Sequence, residues 1–150
     1  MKNTTKSCVI VMAEDDSDDR LLIRDALAEC HWEADLRFVE NGEELMDYLL
    51  RRGKFAEEAA SPRPGLILLD LNMPRKDGRE ALREIKANAD LRRIPIVILT
   101  TSKADTDIAG LYDLGANSFI SKPVQFESLV RVMRTLGQYW FNTVQLPALI

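Results

Sequence analysis

Three carboxylates, a hydroxyl and an ammonium each stand directly after a strand-like run. Glu14 and Asp15 follow Cys8–Ala13, Asp70 follows Leu66–Leu69, Thr100 follows Ile94–Leu99, and Lys122 follows the short run Asn117–Ser121. If those runs end on one rim of a sheet, the carboxylates meet. Neighbouring carboxylates repel and are driven toward protonation unless a cation sits among them. Oxygen ligands with few nitrogen or sulfur candidates nearby favour Mg2+, which keeps several waters and is held by one or two carboxylates plus phosphate oxygens. A carboxylate can also attack phosphorus to give an acyl phosphate. That step needs a metal and a cation to neutralise the phosphoryl oxygens; Lys122 offers a flexible point charge and Thr100 a hydroxyl donor. The constellation reads as a phosphoryl-accepting aspartate, with Asp70 as the acceptor.

The elements that must position these residues can be read from the same runs. Leu66–Leu69 is unbroken, follows Gly65 and is closed off by Pro74, which suits a strand buried on both faces of a parallel sheet. In such sheets ligands bind at the carboxyl ends of the strands. The acidic stretch Asp16–Asp19 opens a helix, because carboxylates and hydroxyls satisfy the free N–H groups of a first turn; Leu22, Ile23, Ala26 and Leu27 follow at helical spacing. Residues 34–40 alternate as a more exposed strand, and Asn41 with Glu44 looks like a capping box ahead of Leu45, Tyr48 and Leu49. Residues 51–64 read as a helix end and a surface loop, in which Arg51, Arg52 and Lys54 are solvated. A helix over 79–89 turns Leu82 and Ile85 inward. Ser102 and Asp105 can cap the next one, with Ile108 and Leu111 inside and Gly115 at its C-terminus. From Gln125 a long helix carries Phe126, Leu129, Val130, Met133 and Trp140 on one face. Strand and helix alternate five times, which makes a doubly wound α/β domain with a parallel sheet.

Singly, each site residue has a plainer explanation. Asp70 could be a turn residue, Glu14–Asp19 an acidic helix start, Thr100 a strand residue, Lys122–Pro123 a loop, and Phe119 ordinary core. Agreement at four ends of one rim is what favours a site. Composition excludes other classes: 46% hydrophobic and 29% charged residues over 150 positions suit one globular domain, and a net charge of −4 argues against a nucleic-acid partner. No run is long and apolar enough for a membrane span, and the N-terminus lacks the apolar stretch of a signal peptide. Cys8 and Cys30 read as free thiols and His31 as a surface residue, so the expected location is the cytoplasm.

Glu14-Asp15, the stretch Asp70-Leu-Asn-Met-Pro-Arg-Lys-Asp-Gly78, Thr100, and Phe119 ahead of Lys122-Pro123 together resemble the receiver domains of two-component response regulators. The likeness runs from about Ser7 to Leu136. It implies a flavodoxin-like receiver fold over 7–137, with a five-stranded parallel sheet in the order 2-1-3-4-5. It implies that a histidine kinase or phosphotransfer protein phosphorylates Asp70. Mg2+ would be bound directly by Asp15 and Asp70, mostly through water by Glu14, and by the main-chain carbonyl of Asn72. Lys122 would contact the phosphoryl oxygens, with a cis peptide before Pro123, and Thr100 and Phe119 would form the switch. Two residues depart from the common pattern: Glu14 replaces an Asp, and Thr101 replaces a smaller residue, which would narrow the path of a hydrolytic water.

After Arg134 the chain carries no charged side chain. Residues 138–150 are therefore set apart as an apolar extension. Tyr139, Trp140 and Phe141 are candidates for a homodimer or docking surface, with Val144, Leu146, Leu149 and Ile150 beside them; a tail folded back on its own domain is the rival reading. The tail and the 51–64 insertion also resemble single-domain regulators paired with cyanobacterial phytochromes, which implies a phytochrome-type kinase as partner. Alternatives are a chemotaxis-type or phosphorelay-intermediate receiver, or an aspartate-nucleophile phosphatase. The phosphatase would want a second carboxylate where Asn72 stands, which argues for a switch and not an enzyme. A flavin-binding protein would want a phosphate-cradling loop where Glu14–Asp16 stands.

Overall fold

The computed structural model describes residues 8–32, 34–100 and 108–147. Five strands, β1 (Cys8–Ala13), β2 (Ala34–Val39), β3 (Leu66–Leu69), β4 (Ile96–Thr100) and β5 (Ser118–Ser121), form one parallel sheet in the order β2-β1-β3-β4-β5. Between and after them come α1 (Ser17–Cys30), α2 (Gly42–Leu50), α3 (Gly78–Ala87), α4 (Ile108–Asp113) and α5 (Phe126–Gly137). This is the doubly wound order that the resemblance implies.

The central strands are buried on both faces, as an unbroken apolar run requires. Ile67 and Leu69 of β3 face a core with α2 and α3, whereas Leu66 and Leu68 face a second core with α1 and α5. β1 and β4 divide in the same way: Val11, Ala13, Ile96 and Ile98 go to the first core, and Ile10, Met12, Val97 and Leu99 to the second. Nearly every side chain of these strands is fully removed from water, so the polar residues that end them are set on a rigid base.

Helix starts follow the capping residues. Asp16 accepts from the amides of Asp18 and Asp19 to open α1, and Asn41 accepts from Glu44 N at 2.7 Å to open α2. The reciprocal half of that second box is displaced: the Glu44 carboxylate accepts from Glu40 N, not from Asn41. The full box lies at α3, where Asp77 and Glu80 cap each other and start the helix at Gly78. Three residues expected inside are exposed. Leu22 lies at the edge of the stripe made by Ile23, Ala26 and Leu27, Ile108 opens a short helix that buries only Leu111, and Phe126 is the first residue of α5. Residues 101–107, which include Thr101 and the expected caps Ser102 and Asp105, lie outside the described residues.

The loop after α2 is tied down more firmly than its composition suggests. Tyr48 OH donates to Pro62 O at 2.6 Å, buried Ser61 donates to Phe55 O, and Arg63 donates to Leu49 O. Arg52 and Lys54 pair with Asp47 and Glu44.

α5 does not end where composition changes. Its backbone continues into a π-helical segment, Gln138–Thr143, whose Trp140 is buried in the second core. Phe141 meets Trp32 edge to face at 5.0 Å, and Val144 and Leu146 pack partly buried against the same core. Trp32 donates its indole N–H to Met133 O at 2.9 Å, and its ring lies so close to Gly137 that any side chain there would strike it. The tail is therefore folded back over the strand starts, which was the rival reading. Of the three interface candidates, Trp140 is inside, Phe141 is half-buried and Tyr139 alone is exposed. Leu149 and Ile150 lie outside the described residues.

Candidate functional site

β1 and β3 end side by side, because Ala13 is in register with Leu69. The next residue on each strand is acidic, and the Asp70 amide donates to Ala13 O, which fixes Asp70 beside Glu14. Oxygens of Glu14, Asp15 and Asp70 all come within 4.8 Å of one another. Among the described residues this is the only group of three that could hold a metal ion. Glu14 and Asp70 are 1% and 6% exposed, while Asp15 is open to solvent.

The other wall comes from β4 and β5. Thr100 is in register with Ser121 and fully buried, and its carbonyl accepts from the Lys122 amide at 2.8 Å. That bond anchors the Lys122 backbone, leaving its four-carbon arm to cross the rim. The ammonium lies 2.5 Å from Glu14 Oε1 and 3.1 Å from Asp19 Oδ2. Burial alone would lower the Lys122 pKa, but the hydrogen bond and charge of Glu14, with Asp70 and Asp19 behind it, outweigh that and hold it above its ordinary value. Glu14 is pushed up to about 7, first by burial and further by the charge of Asp70, against the pull of Lys122. Buried Glu14 and half-buried Asp19 share one buried cation, and the charge of buried Asp70 acts on both Glu14 and Lys122.

The loop after β3 is folded to keep Asp70 in place. Asn72 N reaches Asp70 Oδ1 at 3.4 Å, and Gly78 N donates to Leu71 O at 3.0 Å. A β-carbon at Gly78 would collide with the Asp70 carbonyl and the Leu71 Cα. The Asp-Gly pair at the end of the motif thus has a steric origin: the loop must close on its own strand end before α3 starts.

The structure brings Glu14, Asp15, Asp70, Thr100 and Lys122 to one rim, with Asn72 beside them. Phe119 lies on β5, half-buried against the first core, and its N–H donates to the Tyr112 hydroxyl at 3.1 Å. The peptide bond before Pro123 is trans, against the implied cis form; proline only narrows the trans preference to about 0.5–1 kcal/mol and does not reverse it. Two partners were not anticipated. Arg20 donates to Glu14 O at 2.7 Å, and Asp19 takes the second side of the Lys122 ammonium. Both sit in the first turn of α1; an acid there has an ordinary capping explanation, and a surface arginine needs none, so the pattern carries no sign of the longer contacts.

Comparison with known proteins agrees with this geometry. The family profile of the response regulator receiver domain matches residues 10–134. Response regulator Rcp1 of Synechocystis is 40% identical over 93% of this chain and 93% of its own length. Among solved structures, the phosphorylated cyanobacterial phytochrome response regulator RcpA superposes with a TM-score of 0.87 at 40% identity, covering 95% of this chain and all of that one. A response regulator in red light signalling of R. palustris gives 0.88 at 36% identity, covering 94% and 99%. The Mn2+-bound form of Rcp1 gives 0.84 at 40%, covering 94% and 99%.

Proposed function

The chain belongs to the response regulator receiver domain family, and from that premise we propose that it is a phosphorylation switch whose acceptor is Asp70. The observation that carries this reading is the buried rim itself. A nucleophilic carboxylate, two further carboxylates, a hydroxyl and an ammonium converge there, and the ammonium alone does not balance the acids.

In the proposed reaction an Asp70 carboxylate oxygen bonds to phosphorus. The phosphorus–nitrogen bond of a phosphohistidine breaks, and the imidazole nitrogen leaves with the electron pair. Glu14, Asp15, Asp70 and the main-chain carbonyl of Asn72 form an all-oxygen set suited to Mg2+. When bound, the ion neutralises charge that builds up on the phosphoryl oxygens. Lys122 reaches the same oxygens once it leaves Glu14, and Thr100 offers its hydroxyl. Phe119, tied to α4 through Tyr112, lies where a change at Thr100 can pass to the β5 edge. Asn72 stands where an aspartate-nucleophile phosphatase would carry a second carboxylate, which favours a site that holds its acyl phosphate as a signal.

Likeness to the phytochrome response regulator RcpA and to a response regulator of red light signalling favours a phytochrome-type histidine kinase as the donor. Tyr139, half-exposed at the tail, remains the residue on which a homodimer contact would centre. Asp70→Asn should abolish labelling by a small phosphodonor with Mg2+. Full labelling of that variant at another residue would overturn the assignment. Among histidine kinases, fastest transfer from one of another class would overturn the proposed pairing.

A further inference from the structure

Lys122 is bound twice. Its side chain is 7% exposed, and its ammonium touches Glu14 at 2.5 Å and Asp19 at 3.1 Å. Glu14 belongs to the group that can hold a metal; Asp19 does not. An ammonium this deep cannot be left without a counter-charge, because an unpaired buried charge costs several kcal/mol. Any cation drawn to Glu14 therefore sets Lys122 a problem: the nearest negative charge is taken, and the new one repels it.

We propose that Asp19 is the carboxylate to which Lys122 retreats when Glu14 is committed to a cation, so that Asp19 positions the lysine and sets how tightly the rim binds Mg2+. This rests on the receiver reading above. The geometry supplies what the retreat needs. The Lys122 backbone is anchored to Thr100 O, so only the flexible arm moves. Asp19 is already within hydrogen-bond distance and 31% exposed, so it stays hydrated where Glu14 is buried. It lies in the first turn of α1, where the helix dipole favours negative charge. Without Asp19 the ammonium would have to stay on Glu14 and compete with the metal.

Asp18 provides a control. It occupies the same acidic first turn with the same favourable dipole, but is exposed and has no ion pair with Lys122. Mg2+ binding to the full chain, without phosphodonor, can be followed by calorimetry. Asp19→Asn should weaken binding about fivefold, the effect of a partly exposed ion pair near 1 kcal/mol. Asp18→Asn should change it less than about twofold, and Asp19→Glu should keep most of the affinity because its carboxylate still reaches. In a Lys122→Met background, Asp19→Asn should have almost no effect, since there is no ammonium to receive.

Equal losses in the Asp18 and Asp19 variants would overturn the proposal, and so would a loss that persists without Lys122. Should Lys122→Met not fold, the three variants at positions 18 and 19 decide alone. If the unaltered chain binds no Mg2+ and Asp70 takes no label, the receiver reading itself fails. If it binds and labels but Asp19→Asn is silent, only the role of Asp19 fails.

Discussion

At the carboxyl ends of the strands, Glu14, Asp70 and Lys122 are buried and ionisable, and each depends on another for its charge balance. At the opposite rim Trp32, Trp140, Phe141 and Leu146 close over the strand starts through apolar contact. The same sheet thus has one edge whose energy depends on what cation is present and another whose energy does not. A charged cluster can change its balance when an ion or a phosphoryl group arrives. A packed aromatic cluster has only one good arrangement and can serve as a fixed base.

The contrast can be broken from either side. Trp140→Ala should be the larger loss, about 3 kcal/mol by chemical denaturation, as for buried aromatic truncations. The loss should be the same with and without Mg2+. A loss below about 1 kcal/mol would mean that the tail merely rests on the domain. Lys122→Met should cost less, about 2 kcal/mol without metal: it leaves Glu14 buried without its cation, but that carboxylate, already pushed up to about 7, can take a proton instead. Here Mg2+ should restore much of the stability, as the ion replaces the missing positive charge. If Mg2+ rescued Trp140→Ala and not Lys122→Met, the division between the two rims would be wrong.

The two rims also differ in how plainly the chain shows them. Asp70, Glu14 and Thr100 each end an apolar run and Lys122 a short strand-like one, a signal contained within a few neighbours, and the parallel sheet then brings the ends together. The two-core division follows from alternation within β1, β3 and β4 in the same local way. The apolar rim is not local. Trp32 donates to Met133 and Cys30 to Val130, partners about a hundred residues away. No spacing rule connects them, so Trp140 looked available for a partner although it is buried. Leu22 and Ile23 show the limit at smaller scale: both fit a helical stripe, and only packing against α5 and the sheet decides which one goes inside. Asp19 escaped for a related reason, since a first-turn acid has a sufficient local explanation and its contact with Lys122 is made across the fold.

The smallest effect tests whether the apolar rim is closed. Cys8 and Cys30 both line a groove of about 810 Å³ beneath the tail, with Trp32, Trp140, Phe141 and Leu146 among its walls. Burial raises the Cys8 thiol above its ordinary value of 9.0, against the opposing backbone contact of Gly65, and burial likewise raises Cys30 against the charge of Arg134. A thiol whose folded pKa is raised favours folding while it stays protonated. This contribution is complete below pH 9 and fades as the pH climbs through the folded value, since the unfolded chain then loses its proton first. Between pH 8 and 9 both cysteines should therefore alkylate more slowly than in denaturant, because the thiolate is the reacting species. Trp140→Ala should speed the reaction and Lys122→Met should leave it unchanged. Native cysteines that react at the denatured rate would show the rim to be open and the tail displaced.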